Sequence, residues 1–253
     1  MYELYIANKN YSSWSLRPWV LMTQLGIPFR ERLVPFPTDG SDAHPVFRAF
    51  SPTGRVPCLH DRGQPIAARP QRSEDGRPWS EEVPRDDGAT VVWDSLAITE
   101  YLAERHAGVW PADAAARAWA RCAAAEMHTG FATLRQICSM SCGIRVRLDE
   151  IPPPLARELG RLAELWSEGL ARFGGPFLAG AAFTAVDAFF APVAFRVQTY
   201  GLGLPEAPAA YAARLLALPA MRAWYAAALA ETLRDPTHDR VVGGTLLEDL
   251  RAS

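Results

Sequence analysis

The sequence predicts a small α/β domain followed by an all-helical domain, over residues 1–107 and 108–253. Three observations carry that reading. Up to residue 107, short apolar runs of strand length alternate with helical spacing. After it, every long pattern is helical, alanine-rich and punctuated by Pro and Gly. The two styles meet at Gly108-Val109-Trp110-Pro111, a cluster of breaker residues.

In chain order, residues 2–7 alternate with β-formers and read as a strand, and 16–25 have helical spacing ended by Gly26-Ile27-Pro28. Residues 29–34 alternate apolar and charged side chains, as a half-buried strand does, and 56–60 and 90–93 are two further strand-like runs. Within 95–106, Ile98, Tyr101, Leu102 and Arg105 share a helix face. That order makes a parallel βαβ unit, an antiparallel hairpin and a closing helix in one mixed sheet. The stretch 62–87 is rich in Pro, Gly and charge, and is expected to be a peripheral insertion at the hairpin turn with Trp79 as its one anchor. In the second half, helices are expected at about 113–140, 154–173, 184–198 and 208–233, with no strand. Thr184 and Asp187 have capping-box spacing, with Phe183 at the staple position. They open the most apolar helix, through Phe189, Phe190, Val193 and Phe195, so Asp187 reads as a structural acid.

A chain of 253 residues, 49% hydrophobic and 21% charged, can bury a sizeable core, which excludes a disordered, collagen-like or disulfide-stapled protein. Its net charge of −2 gives no reason to expect nucleic acid or an anionic membrane as partner. The N-terminus carries no signal-like apolar stretch, and the most apolar window, 177–195, contains Asp187 and Pro192. No membrane span is expected, and the setting is expected to be cytoplasmic and reducing. Neither the cysteines (Cys58, Cys122, Cys138, Cys142) nor the histidines have metal-ligand spacing, so no metal is expected.

Three local signals bear on chemistry. The first is Tyr11-Ser12-Ser13-Trp14-Ser15-Leu16-Arg17-Pro18-Trp19, a polar turn that opens a helix. Pro18 is best accommodated in a first turn, which favours Ser15 as the N-cap, with Ser12 and Ser13 in the turn ahead. Hydroxyls at a positive helix end suit an anion, although capping alone also accounts for them. The second is Ser51-Pro52-Thr53-Gly54-Arg55-Val56-Pro57-Cys58, where a proline opening a strand suggests a cis Val56–Pro57 peptide. Such a strand end leaves the Val56 backbone free for a peptide-like ligand, and an ordinary trans proline is the plainer alternative. The third is Asp94-Ser95 before the Ile98 helix face. Either is a good N-cap, and together they could hold the carboxylate and ammonium of an amino-acid head group.

With these three segments in this order, the sequence resembles the cytosolic glutathione S-transferases over nearly its whole length. Residues 51–57 are similar to that family's cis-proline segment, Asp94-Ser95-Leu96-Ala97-Ile98 to its γ-glutamyl-binding segment, and Phe183-Thr184-Ala185-Val186-Asp187 to its capping box. The serine-rich turn looks most like bacterial members related to the serine-type classes, such as zeta. The resemblance implies a thioredoxin-like first domain and an all-α second domain carrying the electrophile pocket. Glutathione would be the co-substrate, with a small electrophile as second substrate, in a homodimer. It further implies that Ser12 or Ser13 contacts the glutathione sulfur, with Ser12 preferred. Val56 beside Pro57 would pair with the cysteinyl unit, and Asp94 and Ser95 would hold the γ-glutamyl end. The alternative is a transferase-fold module that binds glutathione or a protein partner without turnover. Which electrophile is attacked, and whether the reaction is conjugation, isomerisation, dehalogenation or peroxide reduction, stays open.

That turn holds no cysteine, and Cys58 falls inside a strand, so oxidoreduction through a protein thiol is not expected. Met127, Phe131, Leu134 and Cys138 fall on one stripe of the expected 113–140 helix. The stripe is a candidate electrophile pocket, or helix-packing core. Arg135 beside it could steer an anionic substrate or simply face solvent.

Overall fold

The computed structural model describes residues 1–63 and 88–252; the expected insertion, with Trp79, lies outside the described residues apart from Arg62 and Gly63. The first half runs β1 (Tyr2–Ile6), α1 (Ser13–Gln24), β2 (Phe29–Leu33), a single-turn α2 (His44–Phe47), β3 (Cys58–Asp61), β4 (Thr90–Val92) and α3 (Ser95–Ala103). The sheet order is β2-β1-β3-β4, with β1 and β2 parallel and the other pairs antiparallel. The two-residue period of the strands sorts their side chains onto two faces. Leu4, Ile6 and Leu59 pack with Leu16, Val20, Ile98 and Leu102 from α1 and α3. Tyr5, Ala7 and Cys58 point to the opposite face, against Phe47 and Phe50.

The second half is built on α4 (Ala114–Thr129), α5 (Ala132–Ile137), α6 (Pro153–Phe173), α7 (Ala185–Tyr200), α8 (Glu206–Ala217) and α9 (Pro219–Ala230). Two expected helices are each split in two. The 113–140 pattern breaks at Gly130 and Phe131, where Phe131 adopts the left-handed region with φ 55°. The 208–233 pattern breaks at Leu218, which is extended because Pro219 disfavours a helical residue before it. Strands also occur in this half, contrary to expectation: β5 (Ile144–Leu148) pairs antiparallel with β6 (Gly244–Asp249). Ile144-Arg145-Val146-Arg147-Leu148 alternates apolar and charged residues, a strand pattern in the gap between the expected helices.

α7 is buried along almost its whole length and forms the centre of this half. The Thr184 N–H donates to the Asp187 carboxylate at 2.9 Å, closing a capping box at its start. The halves meet where α1 packs on α7 and α9, with Trp19 edge-on to Trp224 at 5.1 Å between ring centres. The Trp224 indole N–H donates to the Lys9 carbonyl at 2.9 Å, and the Glu231 carboxylate accepts the Lys9 and Asn10 N–H groups at 2.6 and 3.1 Å. The segment after α9 then folds back over the β1–α1 turn. Tyr11 Oη donates to Asp239 at 2.8 Å, and Arg251 pairs with both Asp239 and Asp249.

Candidate active site

The serine-rich turn positions the site. α1 begins at Ser13 with Ser12 as its N-cap, three residues earlier than the Pro18 argument predicts. The Ser12 hydroxyl donates to Ser15 Oγ at 2.7 Å and accepts the Ser15 N–H at 3.4 Å. Ser15 Oγ also accepts the Ala7 N–H at 3.3 Å, tying the helix start to the end of β1. Those contacts outweigh the preference of Pro18 for a first turn, and Pro18 sits in the helix interior. Ser12 is thus engaged on both sides of its oxygen. The Ser13 hydroxyl, at the first helical position, has no hydrogen-bond partner among the described residues.

Both serines line a cleft of about 510 Å³, an ordinary size for a small-molecule site. Tyr11 and Trp14 complete its contribution from the β1–α1 turn. His44 comes from the start of α2, and Phe36, Asp42, Gly54, Arg55 and Val56 come from the segments flanking it. The Val56–Pro57 peptide is cis, as the sequence suggests. Gly54 has φ 62°, and the His44 ring occupies the space a Cβ would need, so only glycine fits there. Arg135, Ser139, Met140 and Arg196 come from the helical half, and His238 from the segment after α9. His238 pairs through Nδ1 with Asp235 at 2.5 Å and stacks on Phe36 and Tyr11.

Asp94 and Ser95 do not line this cleft. Asp94 is exposed and caps α3 by accepting the Leu96 N–H at 2.8 Å, and its other oxygen is 3.4 Å from His128 Nε2. His128 in turn meets the edge of Trp14, 5.2 Å between ring centres, so Asp94 adjoins the cleft through that pair. The Ser95 hydroxyl is fully buried and turned toward Arg17, whose Nη1 donates to it at 3.5 Å. Met127, Phe131 and Leu134, the candidate electrophile pocket, are buried in the main core with Cys138 and do not line the cleft. They pack together in spite of the break at Phe131, as the helix-packing alternative for this stripe has it.

Burial pushes the thiols of Cys58 and Cys138 up to about 12, so neither is a thiolate near neutral pH. Among the described residues no group of three His, Cys, Asp or Glu is placed to hold a metal ion, and no helix is long and apolar enough to cross a membrane.

Among the residues that sequence reasoning missed are Arg196, His238, Ser139, Met140, Phe36, Asp42 and His44. Only Arg196 carried a signal, a charge in the middle of the most apolar helix. The capping role of Ser12 has a measurable consequence. Ser12→Ala is expected to lower stability by about 1 kcal/mol in denaturant melts, while the bound thiol titrates nearly as in the wild type. A large rise in the thiol pKa with unchanged stability would instead give Ser12 the chemical role.

A family model described as the N-terminal domain of glutathione S-transferase matches residues 11–105, and one described as the C-terminal domain of glutathione S-transferase matches residues 112–227. Among solved structures, the chain is similar to a glutathione transferase homolog from Burkholderia with bound glutathione. The two are 21% identical at a TM-score of 0.56, covering 88% of this chain and 95% of that one. It is also similar to a glutathione S-transferase from Rhodospirillum rubrum F11, at 19% identity and TM-score 0.59, covering 94% and 97%. A maleylacetoacetate isomerase from Anaeromyxobacter dehalogenans 2CP-1, with glutathione in its active site, matches at 22% identity and TM-score 0.55, covering 88% and 94%. No curated protein matches the sequence.

Proposed function

The chain belongs to the glutathione S-transferase family, and from that premise we propose that it acts as a glutathione transferase whose Ser13 hydroxyl donates to the glutathione sulfur. The observation that carries this assignment is the unengaged Ser13 hydroxyl at the N-terminus of α1, in the cleft that also carries Val56. The cysteinyl unit pairs with the Val56 backbone beside cis Pro57. The exposed Asp94 carboxylate takes the γ-glutamyl ammonium. Ser95 contributes the start of α3 rather than its hydroxyl, which Arg17 holds inward. Glutathione bound in the Burkholderia and Anaeromyxobacter relatives supports the choice of ligand.

The chemistry is the making of a thiolate. A free thiol has a pKa of about 8.5 and is mostly protonated at neutral pH. A hydroxyl donated to sulfur and a helix N-terminus both favour the anion, together by roughly 2–3 kcal/mol, or about two pKa units. The thiolate then attacks a small electrophile held against Trp14 and the helical half of the cleft. The working unit is a cytoplasmic homodimer. The test is a thiolate-absorbance titration of glutathione bound to the protein. The bound thiol is expected to titrate about two units below free glutathione. Binding without any shift would favour the non-catalytic module instead.

A further inference from the structure

The cleft wall built by the helical half carries arginines that, among the described residues, are held in no ion pair, although Glu158 acts on Arg135 and Asp94 on Arg17 from a distance. Arg196, midway along α7, lines the cleft although it is only 3% exposed. Among the described residues its one hydrogen bond runs from Nε to the Cys138 carbonyl at 2.8 Å. Arg135, half-buried in the same wall, donates from Nη1 to the Met127 and His128 carbonyls at 3.2 and 3.3 Å. Behind Trp14 lies the buried Arg17, its guanidinium 4.1 Å from the Trp14 ring centre and 4.8 Å from that of Phe189. Among the described residues no carboxylate forms an ion pair with any of the three.

Burying a guanidinium without a counter-ion is costly, and like charges nearby raise the cost. Burial and the mutual repulsion of these arginines lower the proton affinity of Arg17, and Arg196 is brought down to about 10 chiefly by burial. A structural clamp on a carbonyl does not account for this arrangement. It uses one of five donors and needs no charge, so a glutamine would serve. An anion arriving with a ligand does account for it, since a planar guanidinium matches a carboxylate in two parallel hydrogen bonds. Glutathione's own carboxylates belong elsewhere on the reading above, along Val56 and the start of α3. Among the described residues, the one acid lining the cleft, Asp42, sits on that glutathione side and accepts the His44 N–H at 2.9 Å.

We propose that Arg196 and Arg135 form a carboxylate subsite, so that the electrophile this protein takes is a small organic acid rather than a neutral apolar molecule. The proposal rests on the glutathione reading, and its test separates the two. Carboxybenzyl and methylbenzyl conjugates of glutathione, in meta and para isomers, are compared by calorimetry on the intact protein. At least one carboxybenzyl isomer is expected to bind about tenfold or more tightly than its methyl counterpart, with the advantage shrinking as salt rises. Arg196→Met should abolish most of that advantage and leave the methylbenzyl affinity nearly unchanged. Arg135→Gln, at a less buried position, should reduce it and serves if the Arg196 variant does not fold. Equal affinities in the wild type would overturn the carboxylate subsite alone. So would an equal loss for both conjugates in the variants, since the arginines would then serve glutathione itself. If neither conjugate nor glutathione binds, the glutathione reading falls and the subsite with it.

Discussion

Ser13→Ala is expected to lower kcat/KM at neutral pH by about threefold and to shift the acidic limb of its pH profile upward by one to two units. Removing the unengaged hydroxyl at the start of α1 returns the bound thiol toward the pKa of about 8.5 it has in water. The thiolate fraction near neutrality then falls by more than tenfold. A more basic thiolate is also the better nucleophile, which recovers several-fold and leaves a net loss of a few-fold. Glutathione affinity should change little, because Val56 and Asp94 make their contacts elsewhere. The decisive feature is rescue by base: well above the new pKa, the variant rate should reach or exceed that of the wild type. A loss that persists at high pH would mean that Ser13 shapes the site rather than the thiol.

That assignment was only half legible in the sequence. The cluster of serines at a helix start is a local pattern, and so are the strand alternations of β1 and β2 and the proline after Val56. Each depends on neighbours a few residues away, which is why the first half of the fold could be read element by element. Choosing between Ser12 and Ser13 required the position of the cap. Ser12 became the cap through its contact with Ser15, which β1 holds through the Ala7 N–H, against the local preference of Pro18. The far wall of the cleft was not legible for a related reason. Read as one helix, 113–140 puts Met127, Phe131 and Leu134 on a shared stripe. Periodicity marks such a stripe as buried without saying whether it faces a cleft or a neighbouring helix, and here all three lie in the core. His238 depends on contacts across more than two hundred residues, as in the Tyr11–Asp239 hydrogen bond, and no periodicity in the tail announces it.

Asp187→Ala is expected to lower stability by about 3–4 kcal/mol, several times what a capping box alone would predict. The sequence shows Thr184 and Asp187 as a local pair, worth about 1 kcal/mol. In the fold the fully buried carboxylate also accepts the Leu178 N–H at 3.1 Å and the Tyr211 hydroxyl at 2.8 Å, joining the start of α7 to the preceding loop and to α8. Deleting it orphans three buried donors, counting the Thr184 N–H, at about 1–3 kcal/mol each. Relief from burying a charge offsets about 3 kcal/mol of that loss, since burial raises this carboxyl to about 6 against its donors. The net loss should appear as a melting temperature lower by about 10 °C. The same shift fixes a sign with pH. Between roughly pH 4 and 6 the folded protein holds a proton on Asp187 that the unfolded chain has released, so this group's contribution to stability declines as pH rises through that window. Asp187→Asn cannot titrate, so the wild-type stability measured against it should fall across the window and level off above it. A difference that instead rises with pH would show that these hydrogen bonds, rather than burial, govern this carboxylate.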